Sequence, residues 1–241
     1  MLYIFLFIFL IIVLLILNKN REHLKNIDKY HNYQLGDIIK GWIYKTSIGL
    51  YNSYPTKYPE TLATKYINEV KNLPENKKWN NMTVLDKLTK NSKKLDVALH
   101  LRMGDVIGKY DNKTNTFNSS DLFTDPRQSP TVNYFHQPFI YEKLFKQLKE
   151  PQNIKQINLF YGSHKGWNTD NDKYLEIIKN IITNNGFKII DNSNGNPDSD
   201  FINMSNSKIF IRSGQGGGFS NIISDLVKYR NNKVINPSDY K

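Results

Sequence analysis

Beyond position 95 the chain alternates between short apolar runs and amphipathic stretches, and this alternation narrows the fold more than any other feature. Runs at 96–101, 157–161, 187–190 and 208–211, with a shorter one at 233–235, have the length and the branched or aromatic content of buried strands. Between them, 139–148 places Ile140, Leu144, Phe145 and Leu148 on one helical face. The stretch 172–185 does the same with Leu175, Ile178, Ile181 and Ile182, ahead of Gly186 in the position of a left-handed cap, and 220–229 forms the last helix. Strands joined by helical crossovers call for an α/β fold, a parallel sheet with helices on both faces. Sheets of this kind take ligands at the carboxyl ends of their strands.

The segment before 95 reads differently. It is rich in Tyr, Trp and Lys, with turn-prone Tyr-Pro pairs at Tyr54-Pro55 and Tyr58-Pro59, and 60–73 sets Leu62, Tyr66, Val70 and Leu73 at helical spacing. Residues 30–94 are therefore expected to form a small, mostly helical subdomain, and 95–241 the α/β domain. The long Asn-, Thr-, Asp- and Pro-rich stretch 109–138 follows the first strand and is long enough to be a substrate loop.

Residues 1–17 are apolar or aromatic throughout, at the lower end of what a spanning helix needs. No basic segment precedes the run and no small-residue cleavage site follows it, so a single-pass anchor is expected rather than a cleaved signal, with 18–29 as a polar tether. Lys19, Arg21 and Lys25 follow the run, which assigns the soluble part to the cytosolic side. The four Asn-x-Ser/Thr sequons, at Asn81, Asn112, Asn118 and Asn203, do not oppose this, since the Asn, Ser and Thr content produces about 3.5 by chance.

The chain has no cysteine, which excludes a disulfide scaffold, a thiol nucleophile and a Cys-ligated zinc site. Its formal charge of +11 invites a nucleic-acid reading. Only five of 33 basic residues are Arg, and the lysines are scattered rather than gathered in a stripe, so no nucleic-acid partner is expected. His136 and His164 have no partner at metal-ligand spacing and read as ordinary polar residues, and no metal is expected.

Two segments at predicted strand ends carry chemistry. In His100-Leu101-Arg102-Met103-Gly104-Asp105, an imidazole and a guanidinium two residues apart share one side of the pleat. Arg102 offers a planar fork for phosphate. The alternative is a sheet edge where Arg102 pairs with Asp105 and His100 is a hydrogen-bonded core residue. In Arg212-Ser213-Gly214-Gln215-Gly216-Gly217-Gly218-Phe219-Ser220, bare backbone precedes a helix whose N–H groups and dipole favour an anion, with Ser220 as cap or phosphate donor. The alternative there is a flexible turn. Neither a Walker loop nor a dinucleotide fingerprint is present. Between the two, 196–204 predicts a turn into a short helix capped by Asp198 or Ser199, and Asp200 is either a capping charge or a carboxylate accepting from a base or ribose.

The order H-x-R-x-G-D, D-x-D-F-x-x-M and S-G-x-G-G-G-F-S, spanning about 95–235, resembles the fucosyltransferase superfamily of α1,2-, α1,6- and protein O-fucosyltransferases. The resemblance implies a GT-B architecture of Rossmann-like domains and a metal-independent, inverting transfer from GDP-fucose to a glycan or protein hydroxyl. It implies that Arg102 binds the diphosphate, that His100 and Asp105 shape the nucleotide end, and that Asp200 contacts guanine or ribose. Gly216, Gly217, Gly218, Phe219 and Ser220 match the phosphate-contacting turn. No cofactor beyond the GDP-sugar donor is implied. A catalytic base is not identified, with Asp105 and Asp111 as the carboxylates considered, and a nucleotide-sugar or glycan-binding scaffold without activity is the alternative function.

Overall fold

The structure is a computed structural model that describes Leu35, Ile39 and residues 60–74, 82–119, 134–149, 154–163, 167–193, 196–214 and 217–240. The expected membrane anchor at 1–17, the tether at 18–29, Asn81, His164 and Gly216 lie outside the described residues. No helix among the described residues is long and apolar enough to cross a membrane.

Five parallel strands form the central sheet: β1 (Leu95–Met103), β4 (Gln156–Ser163), β5 (Lys188–Asp191), β6 (Ser207–Ile211) and β7 (Lys233–Ile235), in the order β5-β4-β1-β6-β7. β1 lies at the centre, and its run Val97-Ala98-Leu99 is fully buried, as a strand covered on both faces requires. Alternate residues divide between two layers. Ala98, Phe160 and Phe210 pack with Leu35, Ile39 and helices α1 (Leu62–Lys71), α2 (Met82–Thr89), α5 (Pro197–Ser205) and α6 (Gly218–Tyr229). Val97, Leu99, Leu101, Met103, Leu159 and Ile211 face the other way, against α3 (Pro138–Lys149) and α4 (Thr169–Asn184). The register keeps these layers in phase across strands, with Leu99 opposite both Leu159 and Ile211. Each such fully buried aliphatic or aromatic side chain contributes about 1.5–3 kcal/mol.

Local chemistry sets the helix ends. Thr61, Asn168 and Asn196 cap α1, α4 and α5 by accepting backbone N–H bonds in the first turn. Gly186, at φ 84°, closes α4 as the sequence predicts. Two details differ from expectation. The α5 cap is Asn196 rather than Asp198 or Ser199, because its side chain reaches both of their N–H groups at 3.1 Å. Asp198 is instead committed elsewhere, its Oδ2 accepting from Leu62 N at 2.8 Å.

The stretch 109–138 is not a loop throughout. Its first part belongs to an antiparallel hairpin, β2 (Ile107–Asp111) and β3 (Thr116–Ser119), and 120–133 lies outside the described residues. Phe117 is the apolar anchor of the hairpin, buried 4.8 Å from the Tyr110 ring and edge-on to Tyr174 at 5.1 Å. Asp111 shapes the turn by accepting from Lys113 N at 2.8 Å and Thr114 Oγ1 at 3.0 Å. His136, expected to be an ordinary polar residue, is buried, with its ring edge-on to Tyr141.

Candidate functional site at the strand-order reversal

Taken in chain order, the five strands run third, second, first, fourth, fifth across the sheet, so the direction of winding reverses between β1 and β6. A reversal leaves a crevice outside the carboxyl ends of the two strands, because the connections leave it in opposite directions. The two chemistry-bearing segments lie at the carboxyl ends of these two strands, the first beginning within β1 and the second just after β6.

His100 and Arg102 share the pleat side of Ala98, which is the layer of α6. Their neighbours bear this out. His100 Nδ1 lies 3.4 Å from Ser220 Oγ, and its ring is 5.5 Å from that of Phe219. Arg102 reaches the glycine turn, where a Cβ placed on Gly217 would stand 3.6 Å from Nη1. Met103 points into the opposite core.

Gly217 is the N-cap of α6 and sits at φ 96°, a conformation that side chains rarely adopt. Where α1, α4 and α5 begin with a side-chain oxygen on their first N–H groups, α6 begins with none. Ser220 is therefore not the cap. It is the third residue of the helix, buried, with its hydroxyl beside His100. Gly218 is the first helical residue and is also buried.

Asp105 is 7% exposed and its Oδ1 stands 3.4 Å from Arg102 Nη2, so it orients the guanidinium. Both contacts of the bland alternative, Arg102 with Asp105 and His100 with a hydroxyl, are thus present alongside the approach to the glycine turn. Burial, and after it the charge of Arg102, depresses the His100 pKa to about 3, so its imidazole is neutral at any physiological pH. Asp111 sits in the hairpin turn with its oxygens on Lys113 and Thr114, and those bonds hold it as a carboxylate below the usual range.

Asp200 lies in the first turn of α5, where a capping charge would stand, but its Oδ1 is buried with no hydrogen-bond partner among the described residues. Burial, and then the Asp191 carboxylate at the end of β5, raises its pKa to about 7. The next residue, Phe201, meets Phe219 edge-on at 5.7 Å and so joins α5 to the start of α6.

Sequence reasoning missed Tyr134 and gave no role to Arg212, which it named at the head of the glycine segment. The Tyr134 ring lies under the Arg102 guanidinium, 4.7 Å from Cζ to the ring centroid, and its carbonyl accepts from Gly214 N at 3.2 Å. Arg212 Nη2 donates to Asn221 Oδ1 in the first turn of α6. Only the position of Arg212 at a strand end signalled it.

Together these groups give a guanidinium, a neutral imidazole and an uncapped helix start at one crevice, a combination that attracts an anion and donates hydrogen bonds to it. Among the described residues no group of three or more His, Asp and Glu is placed to hold a metal ion. Comparison with protein-family models, with curated proteins and with solved structures finds no match to the chain.

Proposed function

We propose that the chain is a membrane-anchored glycosyltransferase of the fucosyltransferase type, with GT-B-like architecture. In this reading it moves a sugar from a GDP-sugar to a glycan or protein hydroxyl with inversion. The carrying observation is the meeting of Arg102 with the uncapped start of α6 at Gly217. The order of the three motifs, which resembles that superfamily, supplies the identity of the anion as a nucleoside diphosphate.

The chemistry follows from charge. The acceptor hydroxyl oxygen attacks the anomeric carbon and gives its proton to the departing phosphate or to solvent, the bond from that carbon to the β-phosphate oxygen breaks, and negative charge grows on the departing GDP. Arg102 and the α6 amides are preorganised donors for that charge and need no reorientation during the step. Asp105 acts through Arg102 by fixing it, and His100, neutral, donates or accepts one hydrogen bond without adding charge. The soluble part is placed on the cytosolic side, from the basic residues after the anchor.

The test is calorimetry with GDP on the full chain in detergent, alongside transfer from GDP-fucose to a panel of glycan and protein acceptors. Arg102→Ala is expected to weaken GDP binding by about 1.5–3 kcal/mol, the worth of a hydrogen bond to a charged group. Unchanged affinity in that variant removes the proposal. Tight GDP-fucose binding without hydrolysis or transfer would favour the scaffold function, which the commitment of Asp105 to Arg102 and of Asp111 to its turn supports.

A further inference from the structure

Residues 134–137 lead into α3, and each of the four is tied to a residue of another element or segment. The Gln137 side chain pairs with Phe117 of β3, donating to its carbonyl at 2.6 Å and accepting from its N–H at 2.9 Å. The His136 carbonyl accepts from Tyr174 Oη of α4 at 2.7 Å, and Phe135 meets the Tyr174 ring edge-on at 5.9 Å. Tyr134 then spans the crevice, with its ring against Arg102 of one segment and its carbonyl on Gly214 of the other.

This placement has a geometric effect on the cation. The Arg102 guanidinium carbon lies over the Tyr134 ring, and Nη2 is held by Asp105. Nη1 is on the side of Gly217, 3.6 Å from where a Cβ on that glycine would stand. A flexible arginine freed from the ring has many rotamers to lose on meeting an anion, whereas one held against an aromatic ring has fewer. We infer that Tyr134 is a positioning residue for Arg102, carried by the 134–137 strap, and that it holds the guanidinium beside Gly217 for the diphosphate of the ligand. The inference rests on the reading of this crevice as a diphosphate site. It adds a specific requirement for an aromatic face at position 134.

Calorimetry with GDP on the full chain separates the two. Tyr134→Phe keeps the ring and is expected to bind within about twofold of the parent, whereas Tyr134→Ala is expected to bind roughly three- to thirtyfold more weakly, the span of a cation–ring contact. Tyr134→Leu fills the apolar space without a π face and should match Ala. This third variant serves if Ala unfolds in a thermal melt. All three keep the backbone carbonyl that Gly214 uses. In an Arg102→Ala background, Tyr134→Leu should cost nothing further. Full affinity in the Leu variant while Arg102→Ala is weakened overturns the inference, as does an equal loss from Tyr134→Leu in both backgrounds, or a Phe variant as weak as Leu. Unchanged affinity in Arg102→Ala overturns the diphosphate site itself, and the inference with it.

Discussion

His100 and Asp200 are linked through Phe219, whose ring meets His100 directly and meets Phe201, the neighbour of Asp200. Burial moves them in opposite senses, one pKa down to about 3 and the other up to about 7, because in each case it disfavours the charged form. For Asp200 the consequence is a pH-dependent stability. The folded chain holds this proton more tightly than the unfolded one, whose value is near 3.8. Its stabilising effect is therefore complete below about pH 4 and is lost as the pH rises to about 7. Asp200→Asn removes that loss. Urea unfolding is expected to show the variant more stable than the parent by about 1–3 kcal/mol at pH 8 and equal to it near pH 4, and parallel behaviour at both pH values would contradict the assignment. The side-chain alternation that puts His100 and Arg102 on one face was legible in their spacing, since a strand has a fixed period. The Asn196 cap was not, because three capping-competent residues, Asn196, Asp198 and Ser199, lie at that helix start, and only the structure shows Asp198 tied to Leu62.

At the scale of elements, the β6–α6 turn is the most demanding piece of backbone. Gly217 adopts φ 96°, and a Cβ added there would meet Arg102 Nη1 at 3.6 Å, an ordinary contact rather than a clash. Gly217→Ala is thus costly through backbone conformation more than through crowding. The variant is expected to lose about 1–3 kcal/mol of stability by chemical denaturation and to bind GDP more weakly than the parent. A variant of equal stability would mean that the turn relaxes freely. The long strands and helices were legible because each carries several apolar residues at one period, as in α4, where Leu175, Ile178 and Ile182 are all buried. The hairpin was not. β3 has a single buried apolar residue, Phe117, among Asn, Thr and Ser, and one residue defines no period.

For the molecule as a whole, the part before β1 is joined to the rest by shared apolar packing and by polar ties, among them a knot around Arg230. α1 and α2 contribute Tyr66, Ile67, Val70 and Leu85 to the same cluster as Phe160 and Phe210. Arg230, after α6, donates to Asp86 Oδ1 at 2.7 Å and to Thr89 Oγ1 at 2.6 Å on α2, and to the Ser205 carbonyl at 2.8 Å at the end of α5. These bonds are largely shielded from water, with only 12% of the Arg230 side chain exposed. Arg230→Ala is expected to destabilise the chain by about 2–3 kcal/mol in equilibrium unfolding while leaving GDP affinity in the folded state unchanged. A loss of affinity without a loss of stability would show that this knot belongs to the site. No property of Arg230 in the sequence distinguished it from the other scattered cations, since its three partners come from two distant helices.

The central position of β1 also bears on how the chain is made. Its second neighbour, β6, ends at Ile211, so at ordinary rates of synthesis the nine residues of β1 leave the ribosome roughly five to twenty seconds before that partner exists. During that interval an apolar strand meant for the middle of the molecule stands without half of its backbone pairing. The faster residues 104–211 are made, the shorter the time in which this strand is open to non-native association.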